Sequence, residues 1–136
     1  MDPLKLFDSS TQLLQKSLDL RSANQNVIAA NIANAETPGY DAARFEFAEE
    51  LKQALTHTGM SLSTTHVSHI PVGAQNVEQV SGTIVKTSDS TGIGDQNGIS
   101  VDEEMLALSE NQLMYETAAR LLKKKLAMLK YVVQGQ

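Results

Sequence analysis

Three histidines are the first residues in this chain with the chemistry to hold a metal. His66 and His69 stand three apart, with His57 nearby. On a helix that spacing would bring two imidazoles to one face, the beginning of a zinc site. Their threonine-rich, β-branched neighbours argue against a helix, and no Asp or Glu lies close in sequence. A plain structural role fits better. Asp95-x-Asn97-Gly98 has the opening of a calcium loop, but the remaining ligand spacing, including a closing bidentate Glu, is wrong, which leaves a turn. Gly92-Ile93-Gly94 lacks the third glycine and the helix start that a dinucleotide loop needs. There is no Gly-x-Ser-x-Gly nucleophile elbow and no cysteine, so thiolate nucleophiles, disulfides and Cys-ligated metals do not arise. Lys123-Lys124-Lys125 is a run of cations. The chain as a whole carries a net charge of −5 and has a pI near 5.1, which gives no electrostatic reason to expect nucleic acid. The expectation is a protein that is not an enzyme, with no cofactor, no metal, no small-molecule substrate and no nucleic-acid partner.

The elements that carry these residues divide the chain into three zones within one structural domain. Residues 1–55 hold a helix expected over 9–35, a turn, and a shorter helix expected within 43–55. Ser9 and Gln12 have the spacing of a capping box. Apolar residues recur at Leu14, Leu18, Ile28, Ile32 and Ala35, with polar interruptions at Arg21 and Gln25. Thr37-Pro38-Gly39 stops the helix, because proline and glycine cannot continue it. In the second helix Phe47, Leu51 and Ala54 share one face. Residues 56–99 are rich in Ser, Thr and Gly and read as an irregular segment, with Thr83-Ile84-Val85 as a short strand in a local hairpin and 88–98 as a loop.

Residues 100–136 give the clearest pattern. Ser100 and Glu103 form a second capping box, acidic residues fill the first turn and lysines the far end, as the helix dipole favours. Between them Val101, Met105, Leu108, Gln112, Tyr115, Ala119, Leu122, Leu126, Leu129 and Val133 alternate in steps of four and three without a slip. That is a heptad seam with Gln112 as its one strongly polar member. Leu106, Leu113, Leu121, Met128 and Val132 widen the apolar face. The fold expected is mainly α: long N- and C-terminal helices paired antiparallel, coiled-coil-like, with a short second helix and an irregular, partly β middle. Aromatics make up only 4% of the chain, so aliphatic helix contacts must supply the core. Broad apolar faces would remain after the two helices pair, which predicts assembly with other subunits.

The most specific segment is 30–40, ANIANAETPGY. Asn31 and Asn34 lie three apart on one helical face. Small Ala30, Ala33 and Ala35 keep that region thin, so another backbone can approach and bond to the amides. Thr37, Pro38, Gly39 and Tyr40 form a turn in which proline pre-sets its φ and glycine accepts a positive one. Tyr40 offers an apolar ring with a polar tip.

This segment, Asn31-Ile32-Ala33-Asn34 through Thr37-Pro38-Gly39-Tyr40, resembles the N-terminal signature of the flagellar axial proteins, the rod and hook subunits. Leu18, Arg21, the stretch 45–51 (FEFAEEL), Ser68-His69-Ile70-Pro71 and the C-terminal helix extend the resemblance to the flagellar basal-body rod protein family, and to its proximal-rod members in particular. One departure is Glu36, where the family usually has a shorter side chain. The resemblance implies a self-assembling subunit of the hollow, periplasm-spanning rod in the flagellar basal body, which transmits motor torque and passes exported proteins. Its partners would be copies of itself, other rod proteins, proteins of the junction between rod base and MS ring, and the flagellar type III export apparatus. No basic n-region with an apolar stretch of roughly 7–15 residues follows the N-terminus, so export without a cleavable Sec signal is expected. The alternatives are a neighbouring rod protein of the same family, or a soluble helical-hairpin adaptor or chaperone, which periodicity alone would support equally.

Overall fold

The computed structural model describes residues 9–59, 76–87 and 99–135. Two long helices dominate it. Helix α1 is Ser9–Ala33 and helix α3 is Val101–Gln134. Between them lie strand β1 (Ala42–Glu46), helix α2 (Ala48–Gly59), a 3-10 turn (Val77–Gln79) and strand β2 (Thr83–Thr87). Contacts linking 10 to 125, 24 to 111 and 31 to 104 run in opposite senses along the two long helices, so α1 and α3 pack antiparallel.

Three expectations are corrected. Helix α1 ends at Ala33, two residues before the expected stop, and Ser9 already lies inside it. The early stop is made by Asn34, whose Nδ2 donates to Ala30 O at 2.8 Å and whose carbonyl then accepts from Thr37 N–H at 2.9 Å. The second correction concerns 42–46, where the start of a helix was expected in part. These residues form β1 instead, and α2 begins only at Ala48. The third is the partner of β2. It does not fold on itself but pairs antiparallel with β1, Phe45 opposite Ile84 and Ala43 opposite Lys86. A pairing across about forty residues leaves no local signature, whereas a hairpin would. The histidines at 66 and 69 and the loop at 88–98 lie outside the described residues, as does the side chain of His57.

Helix α1 is buried on two sides. On one, Leu20 joins Phe47, Ala54, Val77 and Val80 in the core, with Leu13, Phe45 and Leu51 packed against them. Each large side chain removed from water here contributes about 1.5–3 kcal/mol. Lys16 Nζ donates to Glu78 O at 3.1 Å and Gln12 to Glu78 Oε1 at 3.2 Å, which ties the 3-10 turn to α1. Glu50 of α2 accepts from Gly82 N–H at 2.9 Å and so fixes the entry to β2.

Gly82 is where this small core is least forgiving. Its φ is +67°, and a Cβ there would come within 2.4 Å of Phe45 Cζ. Gly39, at φ +73°, has open space around its missing Cβ. Gly82→Ala is therefore expected to cost about 2–4 kcal/mol, from backbone strain and overpacking together. Gly39→Ala should cost about 1–2 kcal/mol, from the backbone alone. Urea unfolding of the two variants measures the difference, and equal midpoints would refute it.

Candidate functional site

The asparagine at position 31 joins more elements than any other side chain with a given hydrogen bond among the described residues. It is 1% exposed, and all four of its amide hydrogen-bonding positions are used. Nδ2 donates to Ala43 O at 2.8 Å and to Glu104 Oε2 at 3.1 Å. Oδ1 accepts from Ala43 N–H at 3.0 Å and from Tyr40 Oη at 3.4 Å. Ala43 thus turns both backbone groups away from β2, as alternate residues of an antiparallel pair do. Asn31 stands where a third strand would be. One side chain joins α1, the exit strand and α3.

The turn after α1 follows from its residues. Thr37 Oγ1 donates to Asn34 Oδ1 at 3.3 Å, and Tyr40 N–H to Thr37 O at 3.2 Å. Thr37, Pro38 and Gly39 are exposed, and Tyr40 is half-buried with its hydroxyl turned back to Asn31. The Asn31 amide bonds to a backbone that approaches this thin surface, whereas the Asn34 amide bonds back to Ala30 within α1. Ala30 and Ala33 are exposed, Ile32 is half-buried, and the backbone that Asn31 meets is this chain's own β1. Glu36 is exposed, and Asn34 and Thr37 close the turn without it.

The second contact between the long helices centres on Asn111, 3% exposed. Its Nδ2 donates to Arg21 O at 2.8 Å; its Oδ1 accepts from Asn24 Nδ2 at 3.1 Å and Arg21 Nη1 at 3.5 Å. The Arg21 guanidinium lies 5.7 Å from the centroid of the Phe47 ring, close enough for a cation–π contact. Burial lowers the Arg21 pKa from its usual value, and the group remains charged at any physiological pH. Near the far end Lys125 Nζ donates to Ser10 Oγ. A cleft of about 420 Å³ opens between α1, β1 and α3 beside these residues; Arg21, Arg44, Glu104 and Glu110 are in its walls. Its lining holds no histidine, serine or threonine.

The buried line of α3 shares Leu108, Leu122 and Leu129 with the heptad seam read from the sequence and otherwise runs one residue before it. Glu104, Leu108, Asn111, Ala118, Leu122, Lys125 and Leu129 are its buried and half-buried members. Of the seam residues, Leu108, Ala119, Leu122 and Leu129 are half-buried, whereas Val101, Met105, Gln112, Tyr115, Leu126 and Val133 are exposed. On α1 Ile28 is buried, and Leu14 and Leu18 are half-buried. Helix α3 therefore shows water two apolar flanks. Met105, Leu126 and Val133 mark one, and Met114, Leu121 and Met128 mark the other, with exposures from 45% to 71%. Sequence reasoning missed Asn111, Asn24 and Ala118. The signal that could have found them was the polar break in α1 at Arg21, which needs a polar partner across the seam.

Comparison with known proteins bears on this arrangement. The family model described as "Flagella basal body rod protein" matches residues 15–40, the stretch that contains Arg21, Asn24, Asn31 and the turn. The chain is 33% identical to the flagellar basal body rod protein FlgB of Salmonella typhimurium, over 97% of this chain and 98% of the relative. The chain belongs to the flagellar basal-body rod protein family. Other rod proteins of this type stand at similar distance. FlgB of Yersinia ruckeri is 32% identical over 88% of this chain and 89% of its own length; FlgB of Escherichia coli is 31% identical over 97% and 98%. Identity over nearly whole lengths places this rod protein's two long helices and its middle segment in one family framework. No helix among its described residues is long and apolar enough to cross a membrane.

Proposed function

We propose that this chain is a non-catalytic structural subunit of the proximal flagellar rod. It packs with its own copies and with other rod proteins into the hollow shaft that carries torque from the motor and passes exported proteins. It reaches that place through the flagellar type III apparatus with its N-terminus intact, and meets the MS-ring junction at the rod base. The single observation that carries this reading is the pair of apolar flanks on α3. Each is an apolar stripe of several helical turns that α1 does not cover, and neither suits a protein working alone. Contacts that repeat head-to-tail without closing generate a helical shaft.

Purified basal bodies from cells expressing the tagged chain test the reading. The chain should copurify with rods, and mass spectrometry should find its first residues present. A chain found only in the cytoplasm, bound to one partner, would make it an adaptor.

A further inference from the structure

Helix α3 separates its charges completely. Asp102, Glu103, Glu104, Glu110 and Glu116 all precede residue 117, and Arg120, Lys123, Lys124, Lys125 and Lys130 all follow it. Two of these ten are tied to α1 within the chain, Glu104 to Asn31 and Lys125 to Ser10. Glu116 and Arg120 offset each other at 3.5 Å across the boundary. That leaves Asp102, Glu103 and Glu110 exposed at one end and Lys123, Lys124 and Lys130 exposed at the other. The helix dipole accounts for charge in the first and last turns only. Glu110, Lys123 and Lys124 lie well inside the 34-residue helix.

Resting on the reading of this chain as a self-assembling rod subunit, we infer that α3 of one copy packs parallel to α3 of a second copy. The two are displaced along the axis by about five helical turns, roughly 27 Å at 1.5 Å per residue. That displacement sets the acidic end of one copy beside the basic end of the next. It also brings the two apolar flanks together. Met105 of one copy comes between positions 121 and 124 of the next, and Gln112 comes between Met128 and Tyr131, as knobs entering holes. Such a contact uses different faces on the two copies and leaves both ends free, so it propagates. An antiparallel pair centred near position 115 would also match charges, but it would close as a dimer and bring Gln112 near position 119.

Two charge-reversed full-length chains separate the contact from a folding defect. Glu103→Lys/Glu110→Lys leaves the untied charges at both ends of α3 net positive, and Lys123→Glu/Lys124→Glu leaves them net negative. Each alone should self-associate at least about tenfold more weakly than the unaltered chain at low salt, since like charges then meet. Mixed in equal amounts, they should associate as the unaltered chain does. Failure of the mixture to recover would overturn the proposal, and so would an unaltered chain that stays monomeric at low salt. Disulfide trapping reads the displacement. A Gln112→Cys chain mixed with a Met128→Cys or Tyr131→Cys chain should cross-link across copies. Cross-linking instead to an Ala119→Cys chain would establish the antiparallel pair and overturn the staggered one. If the chain enters basal bodies while none of these signals appears, the rod assignment stands and the staggered contact falls.

Discussion

Replacing Asn31 with leucine is expected to cost about 3–5 kcal/mol of folding stability, a large share of what a domain of this size has. Leucine has the same branching but is larger, so the loss comes from unmet hydrogen bonds with some overpacking and not from a cavity. Glu104 and the Tyr40 hydroxyl can turn to water. The Ala43 N–H and C=O, which receive both sides of the Asn31 amide, would lose both bonds at once. Asn31→Asp keeps the acceptor but loses both donors, and sets a carboxylate where Glu104 Oε2 lies 3.1 Å away. Two such groups cannot both ionise cheaply, so the variant's native state holds a proton that its unfolded state releases. Its penalty should therefore shrink as pH falls through the carboxylate range and be largest at neutral pH. Asn34→Ala, which removes bonds within one turn of chain, should cost only about 1 kcal/mol. Urea unfolding at two pH values measures all three. A leucine variant within about 0.5 kcal/mol of the unaltered chain would show that Asn31 is not the joint between α1, β1 and α3.

The second large effect should leave folding nearly untouched. Leu121 and Met128 are 52% and 54% exposed on one flank of α3. Leu121→Asp and Met128→Asp should change the stability of the free chain by no more than about 0.5 kcal/mol, as exposed substitutions usually do. In the assembled rod the same carboxylates would be buried against a neighbour at a cost of several kcal/mol, a loss of about a hundredfold or more in affinity. Incorporation into basal bodies and motility should both fail, at export levels equal to those of the unaltered chain. Leu122→Asp is the contrast. Leu122 lies half-buried on the line that meets α1, so this change should unfold the chain before assembly is tested. If the two flank variants assemble normally and swim, α3 meets its neighbours through other residues.

The sequence by itself determined the elements whose signals are local. Ser100 caps α3, its Oγ accepting from Glu103 N–H at 3.4 Å, and the Pro-Gly turn ends the first helix region. The 4–3 repeat over 101–133 could form only a long apolar helix, and the motif at 31–40 carried the family. These depend on residues within one or two turns of each other, where spacing and side-chain type suffice.

Tertiary structure decided which face of α3 is inside. The most apolar seam in the sequence includes Met105, Gln112, Leu126 and Val133, all exposed, whereas the line that meets α1 carries Glu104, Asn111, Ala118 and Lys125. A periodicity read as core assumes that the greasiest face packs within the chain. Here polar groups on α1, at Arg21, Asn24 and Asn31, needed partners and drew the polar line of α3 inward. An unpaired buried amide costs more than an exposed leucine in a subunit whose apolar flanks can be covered by neighbours. The strand at 42–46 was equally out of reach. Its helical neighbours are close in sequence, but the β2 ladder and the Asn31 amide that hold it extended come from elsewhere in the chain.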